Sequence, residues 1–134
     1  MPFVMRADAR HRCILVRWFG VFDAGEVRSF YRDIGKEALF RTGAPSFHDA
    51  RHWNLDVPAR EIEGAVRAPA PRAPVPRRVA ILAPGDLAYG RLRMLSAFAE
   101  RATLELDVFR ELAPAKAWIG LGEVPGDPFE QMIR

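Results

Sequence analysis

His48, Asp49 and His52 fall within five residues, and a gathering of imidazoles and a carboxylate is what metal binding or proton transfer needs. An H-x-x-x-H pair can share a zinc ion when a helix brings positions four apart to one side. Here the surrounding SFHDARHW alternates Phe47 with His48, so it reads as a strand ending in a loop. On a regular strand His48 and His52 share one face but stand too far apart for one ion, and no metal is expected. Nucleophilic catalysis is no better supported. Cys13 lies inside the apolar run Cys13-Ile14-Leu15-Val16 without a glycine elbow, and no G-x-S-x-G motif occurs. No residue is therefore assigned as catalytic, and the chain leans away from enzymatic activity.

A second gathering comes after an apolar strand. Pro84-Gly85-Asp86 turns the chain into a helix that carries Tyr89, Arg91 and Arg93. A strand feeding a helix N-terminus offers free amides to an anion. The stretch APGDLAYG is nevertheless neither G-x-G-x-x-G nor a P-loop, and no lysine comes after it. Asp86 in the capping position would occupy those amides and repel an anion, which Arg91 or Arg93 could counter. Tyr89 beside arginine is a composition enriched at protein interfaces. Trp18 and Trp53 could line a small apolar pocket at one end of the sheet.

The elements that position these groups can be read from periodicity. Phe3–Ala7 and Arg12–Phe22, joined through the polar Asp8–His11, read as an opening antiparallel hairpin, with Gly20 marking a bulge or close approach. Asp23 is placed to cap a helix carrying Val27, Phe30, Tyr31, Ile34 and Ala38 on one side. Gly35 weakens its middle, and Gly43 with Pro45 ends it. Ser46–Trp53 is a strand, and Pro58 opens a short helix over Ala59–Val66. Residues 68–76, APAPRAPVP, form an extended surface connector.

Arg77–Arg101 organises the second half of the chain. Val79-Ala80-Ile81-Leu82 is a strand covered on both faces. After it, Leu87, Ala88, Leu92, Met94, Leu95, Phe98, Ala99 and Ala102 form the apolar arc of a helix. Thr103–Phe109 alternates as an edge strand, and Pro114–Leu121 is a last helix burying Trp118 and Ile119. Residues 121–134 are a tail that either docks across the domain or meets a second subunit.

Composition sets the class. A chain of 134 residues with 49% hydrophobic residues makes one domain with a real core. Its formal charge is +3, and since only Lys36 and Lys116 are lysines, eighteen of the twenty cations are arginine. With eleven prolines, that bias fits a GC-rich bacterial genome better than a nucleic-acid stripe, because the arginines interleave with acids. One cysteine excludes an internal disulfide. Without a signal-peptide layout or an apolar run of membrane-spanning length, the expectation is a soluble cytoplasmic protein.

The resulting order, β-β-α-β-α-β-α-β-α, with about five strands and about four helices in an α/β domain, resembles the STAS superfamily. That is the fold of sporulation anti-sigma factor antagonists and sulfate-transporter tails. It is more similar to the small bacterial STAS-like or SEC14-like proteins. The resemblance is carried by RVAILAPGDLAYGRLRM (Arg78–Met94), LDVFRELAPAKAWIG (Leu106–Gly120) and HDAR (His48–Arg51). It implies a mixed sheet with helices on it. In the antagonists, a serine at the start of the second helix is phosphorylated. Here that place reads RHWNLDVP, Arg51–Pro58, so the phospho-switch is missing.

Two functions remain. One is a non-enzymatic regulatory domain, homodimeric or bound to another protein through Tyr89, Arg93 and the tail. The other is a binder of a small anionic or apolar molecule, or an enzyme, at the strand ends near Asp49, Arg51, Asp86 and Arg91. Asp49, Arg51, Asp86, Tyr89, Arg91 and Arg93 are thus the candidate partner- or ligand-binding residues. No cofactor, nucleic acid or membrane span is expected.

Overall fold

The structure is a computed structural model that describes residues 2–67, 77–95 and 104–133. It is an α/β fold on a five-stranded mixed sheet whose strands lie in chain order. β1 (Phe3–Asp8) and β2 (Cys13–Val21) form the expected antiparallel hairpin, with Phe3 opposite Trp18 and Asp8 opposite Cys13. Asp8 closes the turn by accepting from the backbone N–H of His11 and lying 2.8 Å from its Nδ1. β3 (Ser46–Asn54), β4 (Arg77–Leu82) and β5 (Leu104–Phe109) then add in parallel, leaving β5 at the edge.

Helices cover one face of the sheet. α1 (Ala24–Ile34) starts where Asp23 accepts a 2.7 Å bond from the Gly25 N–H, and turns Val27, Phe30 and Ile34 inward. The single helix expected to continue through Ala38 instead stops at Gly35, and a separate turn, α2 (Ala38–Arg41), comes next. Glycine inside a helix costs about 1 kcal/mol against alanine. Breaking there lets Phe40 reach the core, and burying a side chain of that size contributes about 1.5–3 kcal/mol. Gly43, at φ 82°, ends α2 in the left-handed conformation that glycine adopts without a Cβ clash.

α3 (Ala59–Arg67) begins after Pro58 and buries Ile62 and Ala65. α4 (Asp86–Arg93) comes after β4 and buries Leu92. Its apolar arc is rotated from the expected one: Leu87 and Met94 stay 47% and 44% exposed, while Ala88, Tyr89 and Leu95 pack toward the sheet. Short as it is, α4 needs only one row of contacts on β5 and β3. The remainder of the expected helix, 96–102, and the proline-rich 68–76 lie outside the described residues.

The opposite face is covered by α5 (Leu112–Ile119) and the chain beyond it. Strand alternation sorts the side chains. Val79 and Ile81 face α1–α4, whereas Ala80 and Leu82 join Leu15, Phe47, Ile119 and Phe129 in a second core. Trp118 is only partly buried, shielded by the Arg78 guanidinium lying 4.9 Å from its ring centroid.

The tail therefore docks on its own domain. Phe129 meets Phe47 edge-on at 4.8 Å, and Met132 is buried beside it. Three cations hold its backbone and one acid. Arg17 Nη1 donates to the Phe129 and Met132 carbonyls at 3.0 Å each, and Lys116 donates to those of Val124 and Gly126. Arg51 pairs with Asp127 at 2.7 Å. Both arginines converge on Asp49, which has no solvent access. Arg51 makes hydrogen bonds to both Asp49 oxygens, at 2.9 and 3.1 Å. Arg17 Nε comes within 3.1 Å without its N–H pointing at the oxygen, so that contact is a charge attraction only.

Removing the acid from a buried ion cluster strands the remaining charges, at a cost of about 3–5 kcal/mol. Asp49→Asn keeps the shape and deletes the charge. We expect it to lower the urea unfolding free energy by roughly 3 kcal/mol and to speed amide exchange at Phe129–Met132. Asp86→Asn, at the exposed pair with Arg110, should cost under about 0.5 kcal/mol. Equal losses in the two variants would refute the hub role of Asp49.

Candidate functional site

β3 carries polar side chains to both faces of the sheet although Ser46–Ala50 are all buried. A buried polar group needs a partner or it destabilises the fold. On the tail face that need is met around Asp49. On the helix face it concerns Ser46, His48 and, from the start of the neighbouring strand, Arg77.

His48 is enclosed by aromatics: Trp18 lies parallel to it at 6.3 Å and Phe30 edge-on at 5.4 Å. Trp18 Nε1 donates to His48 Nδ1 at 3.0 Å. An indole nitrogen only donates, so Nδ1 carries no proton. Burial, with the nearby Arg77 charge, drives the imidazole pKa down to about 3, so the ring is neutral and its proton sits on Nε2. Nε2 then donates to Ser46 Oγ across 3.1 Å. Arg77 Nη1 donates to the same oxygen at 2.9 Å.

This relay resembles a serine–histidine pair with the wrong tautomer. General-base activation requires a free lone pair on the nitrogen facing the hydroxyl, and Trp18 has claimed the only one. Ser46 is held as an acceptor, not released as a nucleophile. Cys13 is no substitute, because burial pushes its thiol up to about 12 and keeps it protonated.

Arg77 is the unusual member. Its guanidinium lies over the Phe40 ring at 4.7 Å, and its Nε is buried without a hydrogen-bond partner. Desolvation brings its pKa down to about 10, and among the described residues no carboxylate pairs with it. Tyr31 stands close by, its hydroxyl pKa raised by burial and partly lowered by the Arg77 charge.

These groups border a cavity of about 160 Å³ between the sheet and α1, α3 and α4. Its walls are chiefly aromatic and aliphatic. Trp18 and Trp53, stacked at 4.3 Å with 11° between their planes, both contribute, as do Phe22, Ile62 and Leu106. Trp53 Nε1 is buried and also lacks a partner among the described residues. The tryptophan-lined pocket anticipated from the sequence is thus present, beneath the helices.

A crevice of about 320 Å³ lies at the C-terminal ends of β3 and β4, where the sequence places the alternative ligand site, and is lined by Arg51, Trp53, Asn54, Gly85 and Asp86. Its volume is larger but its charged groups are occupied. Arg51 is committed to Asp49 and Asp127, which raises its pKa. Asp86 does not cap α4: Gly85 takes that position, and the Asp86 carboxylate, 92% exposed, pairs with Arg110 at 2.6 Å. Of the buried side-chain polar atoms left without a hydrogen bond among the described residues, Trp53 Nε1 and Arg77 Nε border the smaller cavity, whereas Arg17 Nε and Arg91 Nε do not.

The six candidate residues do not form one site. Asp49 and Arg51 face the tail. Asp86 and Tyr89 share Arg110, whose guanidinium lies 4.2 Å from the Tyr89 ring centroid. Arg93 pairs with Asp107 at 3.2 Å, and Arg91 Nε is buried without a hydrogen bond. His48 and His52 do not share a face. Arg17 pairs with Asp49 but Phe19 with His52, so β3 holds one extra residue. That bulge shifts the alternation: His48 packs with Trp18, and His52 stacks on Phe19, which points the other way. It also frees the Arg51 N–H to bond Asp49 Oδ1 at 3.0 Å.

Sequence reasoning missed Ser46, Tyr31 and Arg77 as site residues. For Arg77 the available signal was a pair of arginines, Arg77 and Arg78, opening a strand whose other four residues are apolar. Among the described residues no cluster of His, Cys, Asp and Glu could hold a metal ion, and no helix is long and apolar enough to cross a membrane. No family model matches the chain, and no curated protein or solved structure matches it either.

The buried imidazole makes the fold acid-sensitive in a defined window. Below pH 6.5 the unfolded chain binds a proton that folded His48 refuses until about pH 3. Stability should fall through that interval by up to about 1.4 kcal/mol per pH unit and stay flat above it. Asp127, whose carboxyl is held below its ordinary 3.8, contributes its own loss only at lower pH. Urea midpoints at pH 7 and pH 5 should diverge in the wild type and converge in His48→Gln. Nitrogen NMR should report an Nε2–H tautomer at pH 5, and a charged ring there would contradict the relay.

Proposed function

We propose that the chain is a binding domain for a small, mainly apolar ligand, held in the cavity between the sheet and helices α1, α3 and α4. The observation that carries this reading is an aromatic-walled space whose polar lining is incompletely bonded. A comparable engineered cavity of about 150 Å³ stays dry and takes benzene. The ligand is therefore of the size of one aromatic ring or a short branched chain, smaller than a full lipid tail. Ser46 held as an acceptor favours binding over covalent catalysis at this site.

The chain order of the elements and the mixed sheet with helices on it support the STAS-like resemblance, and the apolar pocket suits its SEC14-like branch. A second reading, contact with another copy or another protein, is favoured by one observation. Leu87 on α4 and Met94, the residue that caps its C-terminus seven positions on, expose apolar side chains on the same side of the helix. Tyr89 and Arg93 contribute less to that surface than their composition suggests, because Arg110 and Asp107 engage them within the chain.

Toluene is a suitable neutral probe. At ten times its dissociation constant it should stabilise the fold by about 1.4 kcal/mol, a rise of roughly 4 °C in the melting midpoint. Ala65→Phe, which pushes a ring from α3 into the space, should abolish that rise without unfolding the protein. A wild-type midpoint insensitive to toluene would defeat the cavity reading. A dimer by light scattering, dispersed by Leu87→Glu, would support the second.

A further inference from the structure

We infer that the ligand of this cavity carries a carboxylate and that Arg77 reads it. The inference rests on the binding reading above and adds the chemical class of the ligand.

Charge sets Arg77 apart. Its counterparts with buried or half-buried contacts in the sheet each have an acid or a carbonyl to answer them: Arg17 and Arg51 share Asp49, and Arg78 reaches Glu105 and the Trp118 carbonyl. Arg77 has a serine hydroxyl and an aromatic face, neither of which carries a charge. An arginine held out of water keeps its proton under all ordinary conditions, so its charge stands uncompensated among the described residues. Burying an ion alone is costly, and proteins meet that cost with a paired ion.

The neighbouring groups are arranged to present Arg77, not to neutralise it. One Nη1–H is spent on Ser46, whose oxygen is fixed by the proton on His48 Nε2. His48 is itself fixed by Trp18. This chain of three hydrogen bonds starts at a cavity wall and ends on the guanidinium, orienting its fork. Its Nε, buried, makes no hydrogen bond to the described residues. A carboxylate matches a guanidinium fork with two parallel bonds, which a single hydroxyl or amide cannot do. The apolar body would lie against Trp18, Phe30 and Leu106, all lining the same space. An aryl or short branched monocarboxylate satisfies both requirements, and benzoate is the simplest probe.

One competitor lies in the chain itself. Segments 68–76 and 96–103 lie outside the described residues, and between them they contain a single acid, Glu100. If Glu100 were the counter-charge, an added carboxylate would be excluded until that residue was neutralised.

The full chain should be titrated by calorimetry with benzoate, its neutral isostere benzamide, and toluene. We expect benzoate to bind at least tenfold more tightly than benzamide. Arg77→Met should bring the two within twofold while leaving toluene binding in place, which also shows that the variant has folded. Glu100→Gln should leave the benzoate constant unchanged. Equal binding of benzoate and benzamide by the wild type would overturn the carboxylate inference while leaving the cavity reading intact. Failure of all three probes would remove the cavity reading and the inference together. A benzoate preference that survives Arg77→Met would assign the anion to another cation, and benzoate binding that appears only in Glu100→Gln would make Glu100 the native partner.

Discussion

The central strand, β3, is buried on both faces over Ser46–Ala50, and its polar side chains there must be answered on each side without help from solvent. Asp49 points one way and His48 the other. Alternation makes this unavoidable: successive side chains on a strand face opposite layers. Most of the architecture beyond the bare sheet can be understood as the response to those two neighbours. Because Asp49 has no solvent exposure, it draws in Arg17 and Arg51, and the same two arginines then hold the tail through the Phe129 and Met132 carbonyls and Asp127. The second core exists in its present form because an ion cluster anchors its lid.

The helix face answers the same constraint by the opposite means. Instead of a charge balanced by charges, it holds a neutral imidazole between one donor and one acceptor, with the tautomer dictated by an indole that cannot accept. Neutrality makes this cheap to bury, and it leaves the terminal cation, Arg77, without its match among the described residues. The contrast between the layers separates structure from function. Where Asp49 lies, each cation meets an acid, although Arg17 Nε makes no hydrogen bond; where Arg77 lies, no acid among the described residues answers the charge and space is left over.

Several features were legible from residues alone. The hairpin could be read from two β-rich runs around a polar turn, and the α1 start from Asp23, because caps and turns act over three or four residues and need no distant partner. The fully apolar Val79–Leu82 announced a strand covered on both sides for the same local reason. Asp49 and Arg51 stood out as chemistry-bearing residues, but their role as tail anchors depends on Asp127, seventy-six positions from Arg51. Asp86 looked like a cap by position. It became a surface ion-pair member because Arg110, across the β4–β5 crossover, offered a partner that local spacing does not reveal. The bulge in β3, which parted His48 from His52, leaves no mark in composition, since it is defined by register against β2.

By itself, then, the sequence determined the class of fold, the rough order of its elements, the starts of α1 and α3, and the absence of a nucleophile motif or internal disulfide. These are properties of periodicity and of short-range hydrogen bonding, which are written into neighbouring residues. Only the tertiary structure decided which side of the sheet each polar group faces, which cations meet an acid, and where space is left in the core. A pairing energy depends on the distance and dielectric between groups brought together from far apart in the chain. Ser46, His48 and Arg77 acquire their meaning in that way, from three hydrogen bonds linking β2, β3 and β4 beside an aromatic cavity.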